Sequence, residues 1–497
     1  MNYLRAMQGR KSIQPKMMYQ VNLESLVPKD NFYRRLNSQL GLTFLYNATA
    51  SYYGTEGQES IDPVVFFKIC LIGYLNNINS DRKLIEFCAN RLDTRLYLQY
   101  DIDESLPWHS TISRTRQLYG EEVFLQLFQE VLSLCVTKGM VRGKRQAIDS
   151  AFIKANASLD SLTEKEILED VQVYAEELNE GSEYKISSSN HSSDKTEEEA
   201  KSVKKKTSNK THYSTTDADA RISIKPGKPW NLYYYAQISV DDSNHVITGA
   251  NADFADSGDS QCLPKVLGQT IENLQHNDIT IEQVLADTGY SSGDALRYIE
   301  KQGIEAYIPN PSGYIHKRDF FNYNKELDQY ECIRGNKAVL ALRRTECSPS
   351  GRDRKIYRSS VNDCKGCPLK ESCLGNLNYK KITDRIDKTC NDRMHEKMQT
   401  AYGKRTSRIR SRTVEPVLGS LINFFAMKKV NGRGITQASK HVVMASIAYN
   451  LKKYIKFIYL KPGKALEACL NLRGAFKVLV LFPFPTCYSH YNYPLPH

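Results

Sequence analysis

The chain has 497 residues, of which 41% are hydrophobic and 25% are charged; this composition is ordinary for a globular protein, and the length favours about two or three domains over a single core. Lys and Arg outnumber Asp and Glu by 68 to 56, a formal net charge of +12 that favours a polyanionic partner such as nucleic acid. The sequence has neither an apolar signal core at its start nor an apolar run of about 20 residues. We therefore expect no membrane role, and a cytoplasmic protein whose cysteines are reduced.

The first part of the chain favours helices. Apolar residues recur at helical spacing from Val64 to Leu75. Asp62 followed by Pro63 suits the start of this helix, with the aspartate as its cap and the proline in its first turn. We therefore expect an all-α N-terminal domain over residues 1–140.

A further helix is expected to begin near Ser110, and it carries two arginines, Arg114 and Arg116, one turn or less apart. Such a helix can set its arginines against a DNA groove or against phosphates. The alternative is a helix that packs within the domain and leaves its arginines in solvent. The sequence alone keeps both interpretations open.

The next segment mixes strand and helix patterns, which indicates a mixed sheet with flanking helices. A strand is expected over 146–153, a hairpin over 232–248, and a fourth strand over 283–287 after a helix. Residues 181–212 are rich in Ser, Glu and Lys and predict a solvated polar insert. The order strand, hairpin, helix, strand predicts that the first and fourth strands lie side by side.

Asp149 and Asp287 each follow apolar residues of a strand that we expect to be buried. A carboxylate at the end of a buried strand is costly unless it is paired, hydrogen-bonded or bound to metal. Hard ions such as Mg²⁺ prefer carboxylate oxygen, and two of them about 3.5–4 Å apart can catalyse phosphodiester chemistry. The alternative is that each aspartate only caps the turn or helix that follows it.

Glu415 is the sole acidic residue between Ala401 and Lys461, a stretch with thirteen Lys or Arg. It follows Val414 and precedes Pro416, at what we expect to be the start of an apolar helix. A basic surface around one acid suits phosphate binding beside a metal site. The alternative is an ordinary ion-pair partner.

The segment between Asp287 and Glu415 contains Cys332, Cys347, Cys364, Cys367 and Cys373. Cys364 and Cys367 have the spacing of a zinc knuckle, and Cys373 follows six residues later. Cys332 or Cys347 could complete a set of four ligands for a structural Zn²⁺. The alternative is that these cysteines are reduced and pack a small subdomain.

These motifs, taken in order, resemble the DDE transposases of bacterial insertion sequences, from about residue 18 to 455. Any one of them is weak, but their order and spacing together are specific. The stretches that carry the resemblance are Val27–Asn31, Tyr33–Leu36, Ser60–Pro63, Leu71–Tyr74, His109–Ser113, Ala147–Asp149, Lys154–Ala157, Asp217–Arg221, Leu285–Tyr290, Val414–Gly419 and Ala448–Lys453.

The resemblance implies an RNase H-like catalytic core in which Asp149, Asp287 and Glu415 hold Mg²⁺ or Mn²⁺, as two ions. The implied reaction is hydrolysis of double-stranded DNA at the element ends, followed by attack of the freed 3′-hydroxyl on target DNA. The N-terminal helices would recognise the terminal inverted repeats, and the protein would act as a homo-oligomer on DNA. The alternatives are a nuclease on the same fold and a transposase-derived DNA-binding protein without catalysis.

The resemblance also implies the division of the chain. The expected parts are a DNA-end-binding domain over 1–140, a catalytic core over 141–330, a Cys-rich insertion over 331–400, the Glu-bearing helical end of the core over 401–460, and a tail of unknown role over 461–497.

One departure from the family concerns the surroundings of Glu415. Relatives usually have a basic residue seven positions after the glutamate, and Ile422 stands there in this chain. Lys428 and Lys429 are candidates to contact phosphate in its place. The arginine usually found shortly before the glutamate is one of three, Arg408, Arg410 or Arg412.

Overall fold

The computed structural model describes residues 22–54, 56, 60–165, 207–225, 228–335, 337–347 and 353–459. Residues 181–206 of the predicted polar insert and the C-terminal segment 461–497 lie outside these ranges.

The N-terminal part of the described chain is helical, as predicted. Asp62 caps the fourth helix, since its carboxylate accepts the N–H groups of Val64 and Val65, and Pro63 occupies the first turn. The helices are α1 (Leu23–Leu26), α2 (Phe32–Gln39), α3 (Phe44–Thr49), α4 (Pro63–Leu75), α5 (Asp81–Ala89), α6 (Leu92–Leu98), α7 (His109–Leu118) and α8 (Glu121–Thr137), with a 3₁₀ turn at Ala50–Tyr52.

A mixed sheet follows, and its central strand is β1 (Arg145–Lys154). On one side β1 pairs antiparallel with the long strand β5, and both β4 and β6 pair antiparallel with the other edge of β5. On the other side β7 pairs parallel with β1, and β8 pairs parallel with β7. The first and fourth strands of the predicted order, β1 and β7, are therefore neighbours. The remaining strands are β2 (Leu162–Glu164) and β3 (His212–Ser214), which pair with each other, β4 (Arg221–Lys225), β5 (Lys228–Asp241), β6 (Ile247–Phe254), β7 (Gln283–Leu285) and β8 (Glu305–Tyr307).

Two helices from the same part of the chain pack on this sheet. Helix α9 (Asp259–Gln275) packs on β5 and β6, and α10 (Gly293–Lys301) packs against β8. Short 3₁₀ turns lie at Leu159–Ser161 and at Thr288–Tyr290.

The cysteine-containing segment forms a second, antiparallel sheet with a core of its own. Its strand order is β13-β12-β11-β10-β9, and its buried apolar residues are few. The elements are β9 (Phe321–Asn324), β10 (Gln329–Cys332), β11 (Val339–Cys347), β12 (Asp353–Ser359), α11 (Val361–Cys364), α12 (Lys370–Leu374) and β13 (Lys381–Arg385).

Three helices end the described chain: α13 (Lys388–Gln399), α14 (Ala401–Phe424) and α15 (Ile435–Ile458). Helix α15 packs against α4 and α8 on one side and against β6 on the other. The side-chain amide of Asn450 accepts from the Ile247 N–H at 2.9 Å and donates to the Ile247 carbonyl at 2.8 Å, which ties α15 to the sheet. One buried apolar cluster consequently runs from the N-terminal helices through the sheet to α15.

Among the described helices, none is both long enough and apolar enough to cross a membrane.

Candidate active site

The pairing of β1 with β7 brings the two predicted aspartates together. The last paired positions are Ala147 and Leu285, and each aspartate lies two residues farther along its own chain segment. Because the two strands are parallel, Asp149 and Asp287 leave this pairing at the same edge and on the same side. They are close enough that the Asp287 charge raises the pKa of Asp149.

Asp149 does not end its strand, contrary to the sequence-based expectation. It lies in the middle of the ten-residue β1, with its Cα opposite that of Ile238 on β5. The antiparallel partner β5 continues past the point where β7 stops, so β1 is extended on that side. The aspartate still faces an open edge, because β7 no longer covers it there.

Asp287 also fulfils the alternative interpretation, since it caps the 3₁₀ turn that follows it. Its Oδ1 accepts the N–H of Gly289 at 2.8 Å. One carboxylate oxygen is thus engaged with backbone, which fixes the orientation of the side chain toward Asp149.

Glu415 comes to the same place from the long helix α14, which packs against β1. The expectation that Glu415 precedes a helix is wrong, because α14 spans 24 residues and contains it in its interior. The error comes from Pro416, which usually marks a helix start but here lies within the helix. A helix that continues through this proline holds Glu415 more rigidly than a terminal residue would be held.

Arg410 joins two of the three acids. Its guanidinium donates to Asp149 Oδ2 at 3.0 Å and to Glu415 Oε1 at 2.8 Å. The Arg410 and Asp149 side chains are only 15% and 17% exposed, whereas Glu415 is 55% exposed. Of the three candidate arginines, Arg410 is therefore the one at the acids; Arg408 and Arg412 on the same helix are exposed.

The protonation of Asp149 is set by opposing effects. Burial is the largest of them and raises the pKa of this carboxyl; the Asp287 charge raises it further. Two effects lower the pKa: the Ser150 N–H donates to Asp149 Oδ1 at 2.8 Å, and Arg410 adds a positive charge. The net effect is a raised pKa for Asp149. A nearby cation stabilises the ionised form of a buried carboxyl more than that of an exposed carboxyl.

A fourth carboxylate, Asp259 at the start of α9, lies at the edge of this site. Its Oδ1 accepts from the hydroxyls of Ser150 at 2.7 Å and of Tyr235. The sequence analysis missed Asp259, because an acidic residue in the first turn of a helix usually serves that helix alone.

Gly289 allows Asp259 and Asp287 to approach each other. A Cβ atom at Gly289 would lie 2.4 Å from Asp259 Oδ2 and 3.1 Å from Asp287 Oδ1. Both carboxylates therefore border the space that a side chain at this position would fill.

The acids offer carboxylate oxygens, the ligands that hard divalent cations prefer, although no group of three or more His, Cys, Asp or Glu side chains in the described residues is arranged to hold one. Their fit to such a cation rests on Arg410, whose positive charge occupies the space between Asp149 and Glu415. Hard divalent ions seek this environment of converging carboxylate oxygens.

The other predicted cations differ in accessibility. Lys428 and Lys429 are exposed, and the backbone of this segment pairs with Lys154 at the end of β1. Ile422, which replaces the usual cation of relatives, packs partly buried against the main core. The exposed lysines thus stand at the end of the strand that carries Asp149.

The two arginines of α7 have different surroundings. Arg114 is exposed. Arg116 is buried, and its guanidinium makes a two-pronged ion pair with Asp81 at 2.7 and 2.9 Å. Its surroundings match neither interpretation of the sequence, since its guanidinium is neither on a DNA-facing surface nor in solvent.

Two stretches of the chain match protein-family models. Residues 21–118 match a transposase domain, and residues 331–455 match a transposase DDE domain. The second match includes Glu415 and the cysteine segment, whereas Asp149 and Asp287 lie outside both. A search of curated proteins found no match. A transposase domain near the start of the chain and a transposase DDE domain in its last third support the resemblance to the DDE transposases of insertion sequences.

Proposed function

We propose that this transposase binds the terminal inverted repeats of its element and catalyses metal-dependent cleavage and strand transfer, with Asp149, Asp287 and Glu415 as ligands of two Mg²⁺ or Mn²⁺ ions. The observation that carries the proposal is the bridge made by Arg410 between Asp149 and Glu415, with Asp287 beside Asp149. The three proposed ligands come from a central strand, a turn that follows a strand and a distant helix.

The sheet supports an RNase H-like core. A central strand with a long antiparallel strand on one side and two parallel strands on the other is the arrangement that this assignment requires. Asp149 lies within β1, Asp287 lies two residues beyond the parallel neighbour β7, and Glu415 comes from a helix packed on β1.

When bound, divalent ions supply Lewis-acid activation of a water or 3′-hydroxyl and stabilise the leaving oxygen of a phosphodiester. The residues of the chain provide the geometry. Asp149 and Asp287 present carboxylate oxygens from rigid backbone. The hydroxyls of Ser150 and Tyr235 donate to Asp259 and fix its carboxylate at the edge of the site. Arg410 keeps Asp149 and Glu415 together in the absence of ions.

Arg410 would have a second role beside bound cations. With the acids neutralised, its guanidinium would be free to donate to phosphate oxygens, as a planar donor of this kind does. One side chain would then couple metal binding to contact with the DNA backbone.

DNA contact is assigned to exposed cations. Arg114 on α7, Arg408 and Arg412 on α14, and Lys428 and Lys429 beyond it are all accessible. Together with the net charge of +12 they favour a phosphate-binding surface beside the acids. Contact by Arg116 is not proposed, because its guanidinium is committed to Asp81. We further propose that the protein acts on double-stranded DNA as a homo-oligomer.

The experiment uses labelled duplexes made from the DNA that flanks the coding region, incubated with the full chain and Mg²⁺ or Mn²⁺. The expected result is cleavage at the element end and joining of that end to a second DNA. Asp149→Asn, Asp287→Asn and Glu415→Gln should each abolish cleavage while end binding persists. Asp294→Asn is the control, because this acid on α10 is 92% exposed and its ion pair is with Arg297 on the same helix.

Three other outcomes are informative. Cleavage without joining would favour a nuclease on the same fold. End binding without cleavage under any of these conditions would favour a transposase-derived DNA-binding protein. Full cleavage by all three acid variants would overturn the assignment of the site.

A further inference from the structure

Four of the five cysteines in the second sheet's segment surround one small cavity. Cys332 ends β10, Cys364 ends α11, Cys367 lies in the turn that follows, and Cys373 lies in α12. All four line a cavity of about 30 Å³. That volume is about the share of one water molecule in the liquid, and it suits a single ion rather than a larger ligand.

Local backbone geometry directs the sulfur atoms to this point. A Cβ atom at Gly335 would lie 2.8 Å from the Cys367 sulfur and 3.4 Å from the Cys332 sulfur, so both sulfurs approach the same glycine. The Gly335 N–H donates to the Cys332 sulfur at 3.3 Å. Gly366 has a φ of +76°, a left-handed turn that lets Cys364 and Cys367 approach the cavity from one tight loop.

Cys347 is excluded from this set. It ends β11, is exposed, and does not line the cavity. The structure thus resolves the choice that the sequence left open between Cys332 and Cys347.

We propose that Cys332, Cys364, Cys367 and Cys373 bind one structural Zn²⁺. A tetrahedral site of four thiolates has Zn–S distances of about 2.3 Å. The four cysteines line the cavity, but no three of them are arranged to hold a metal among the described residues, so metal binding would have to bring their sulfurs closer together. This site is independent of the proposed catalytic one.

The charge around the cavity suits such a centre. Four thiolates and one Zn²⁺ leave a net charge of −2; two lysines, Lys370 and Lys380, and one acid, Asp363, line the same cavity, so the other charged residues there add up to +1. The Lys380 ammonium is held in place by the Cys373 carbonyl at 2.7 Å.

The segment also needs a stabilising element. The largest buried apolar cluster among its described residues has five members, and α11 and α12 have only four and five residues, which is too short for helices to persist alone. A zinc ion would tie both helices to the end of β10 and so contribute directly to folding.

The test uses the full chain purified in the presence of zinc, with bound metal measured after gel filtration. We expect about one zinc per chain. Replacement of the zinc by Co²⁺ should give the near-ultraviolet thiolate charge-transfer band and the intense visible bands of a tetrahedral site. Cys364→Ser and Cys367→Ser should lose most of the metal and of the Co²⁺ bands, whereas Cys347→Ser should keep both.

Removal of zinc from the wild-type protein with a chelator is a second test, and it does not depend on how the variants fold. Removal of zinc should lower the thermal midpoint and expose the segment around 360–375 to protease, and added zinc should reverse both. The proposal is overturned if the wild type holds no zinc and shows no Co²⁺–thiolate band, or if Cys347→Ser loses as much metal as Cys364→Ser.

Discussion

Arg410 on helix α14 and Asp149 on strand β1 form an ion pair of 3.0 Å although 261 residues separate them in the sequence. Both side chains are largely buried, so their attraction is weakly screened. The same guanidinium reaches Glu415, and a single cation therefore balances two acids. Any divalent ion that enters between these acids must displace it.

Arg410→Gln should strengthen metal binding by the DNA-free protein, because it removes the competing cation. We expect Mn²⁺ affinity to rise about tenfold, which corresponds to about 1.4 kcal/mol, as measured by calorimetry or by the Mn²⁺ paramagnetic resonance signal. Strand cleavage should fall at the same time, since the proposed phosphate donor is lost.

Arg408→Gln is the matched control, because Arg408 is exposed on the same helix. It should leave Mn²⁺ affinity unchanged. Equal or weaker Mn²⁺ binding by Arg410→Gln would show that the arginine does not compete with metal.

Gly289→Ala should disrupt the site without unfolding the protein. The added methyl group would press on Asp259 Oδ2 and Asp287 Oδ1, and Asp259 is held by Ser150 and Tyr235 and yields only by breaking those hydrogen bonds. We expect cleavage to fall at least about tenfold, the rate equivalent of 1.4 kcal/mol.

Gly419→Ala serves as the comparison, because a Cβ there meets nothing within 4 Å and the residue lies inside α14. It should raise stability by about 0.5–1 kcal/mol and leave cleavage intact. If Gly289→Ala cleaved DNA as fast as Gly419→Ala, the space beside Gly289 would have no role in the reaction.

Arg116→Leu should destabilise the N-terminal helices, because it leaves Asp81 without its buried partner. Removal of one member of a buried ion pair costs about 3–5 kcal/mol, and denaturant unfolding should report this loss.

Arg114→Gln, at an exposed position on the same helix, should leave stability unchanged but weaken DNA binding and reduce its salt dependence. The assignment of Arg114 fails if its variant binds DNA like wild type.

Lys440 should make stability rise with pH in mildly alkaline solution. Burial lowers the pKa of Lys440 to about 8, whereas an unfolded lysine titrates near 10.4. Between these values the unfolded chain binds more protons than the folded one, so the free energy of unfolding increases with pH, by at most about 1.4 kcal/mol per pH unit. The neutral amine still donates to the carbonyls of Arg116 and Tyr119.

The measurement compares unfolding of wild type and Lys440→Met from pH 7.5 to 9.5. Lys440→Met should be less stable at every pH, and the difference should widen as pH rises. A constant difference across this range would mean that Lys440 keeps an ordinary pKa in the fold.

Local patterns predicted local structure well. The start of α4 at Asp62 and Pro63 follows from capping chemistry, which acts over a few residues. The adjacency of β1 and β7 was the one long-range contact predicted, and it came from the order of the elements. Glu415 was misplaced because Pro416 is locally a helix-start signal, and only packing of α14 against β1 keeps the helix continuous through it.

Partners distant in sequence could not be predicted. Arg116 carries no sign of its pairing with Asp81, and nothing in the sequence around Asp259 points to Tyr235. The choice of Arg410 from three similar arginines depends on which helix face meets β1, which spacing alone does not give. These are tertiary contacts, set by how elements pack.

Helix α15 lies with one side on the N-terminal helices and the other on the sheet, and both contacts belong to one buried cluster. A hinge between the two regions would have to open that cluster to water. If the N-terminal helices grip the inverted repeat, the distance from the gripped sequence to the acids is then a fixed property of the fold. The number of base pairs between the recognised sequence and the cut should therefore be the same at every element end.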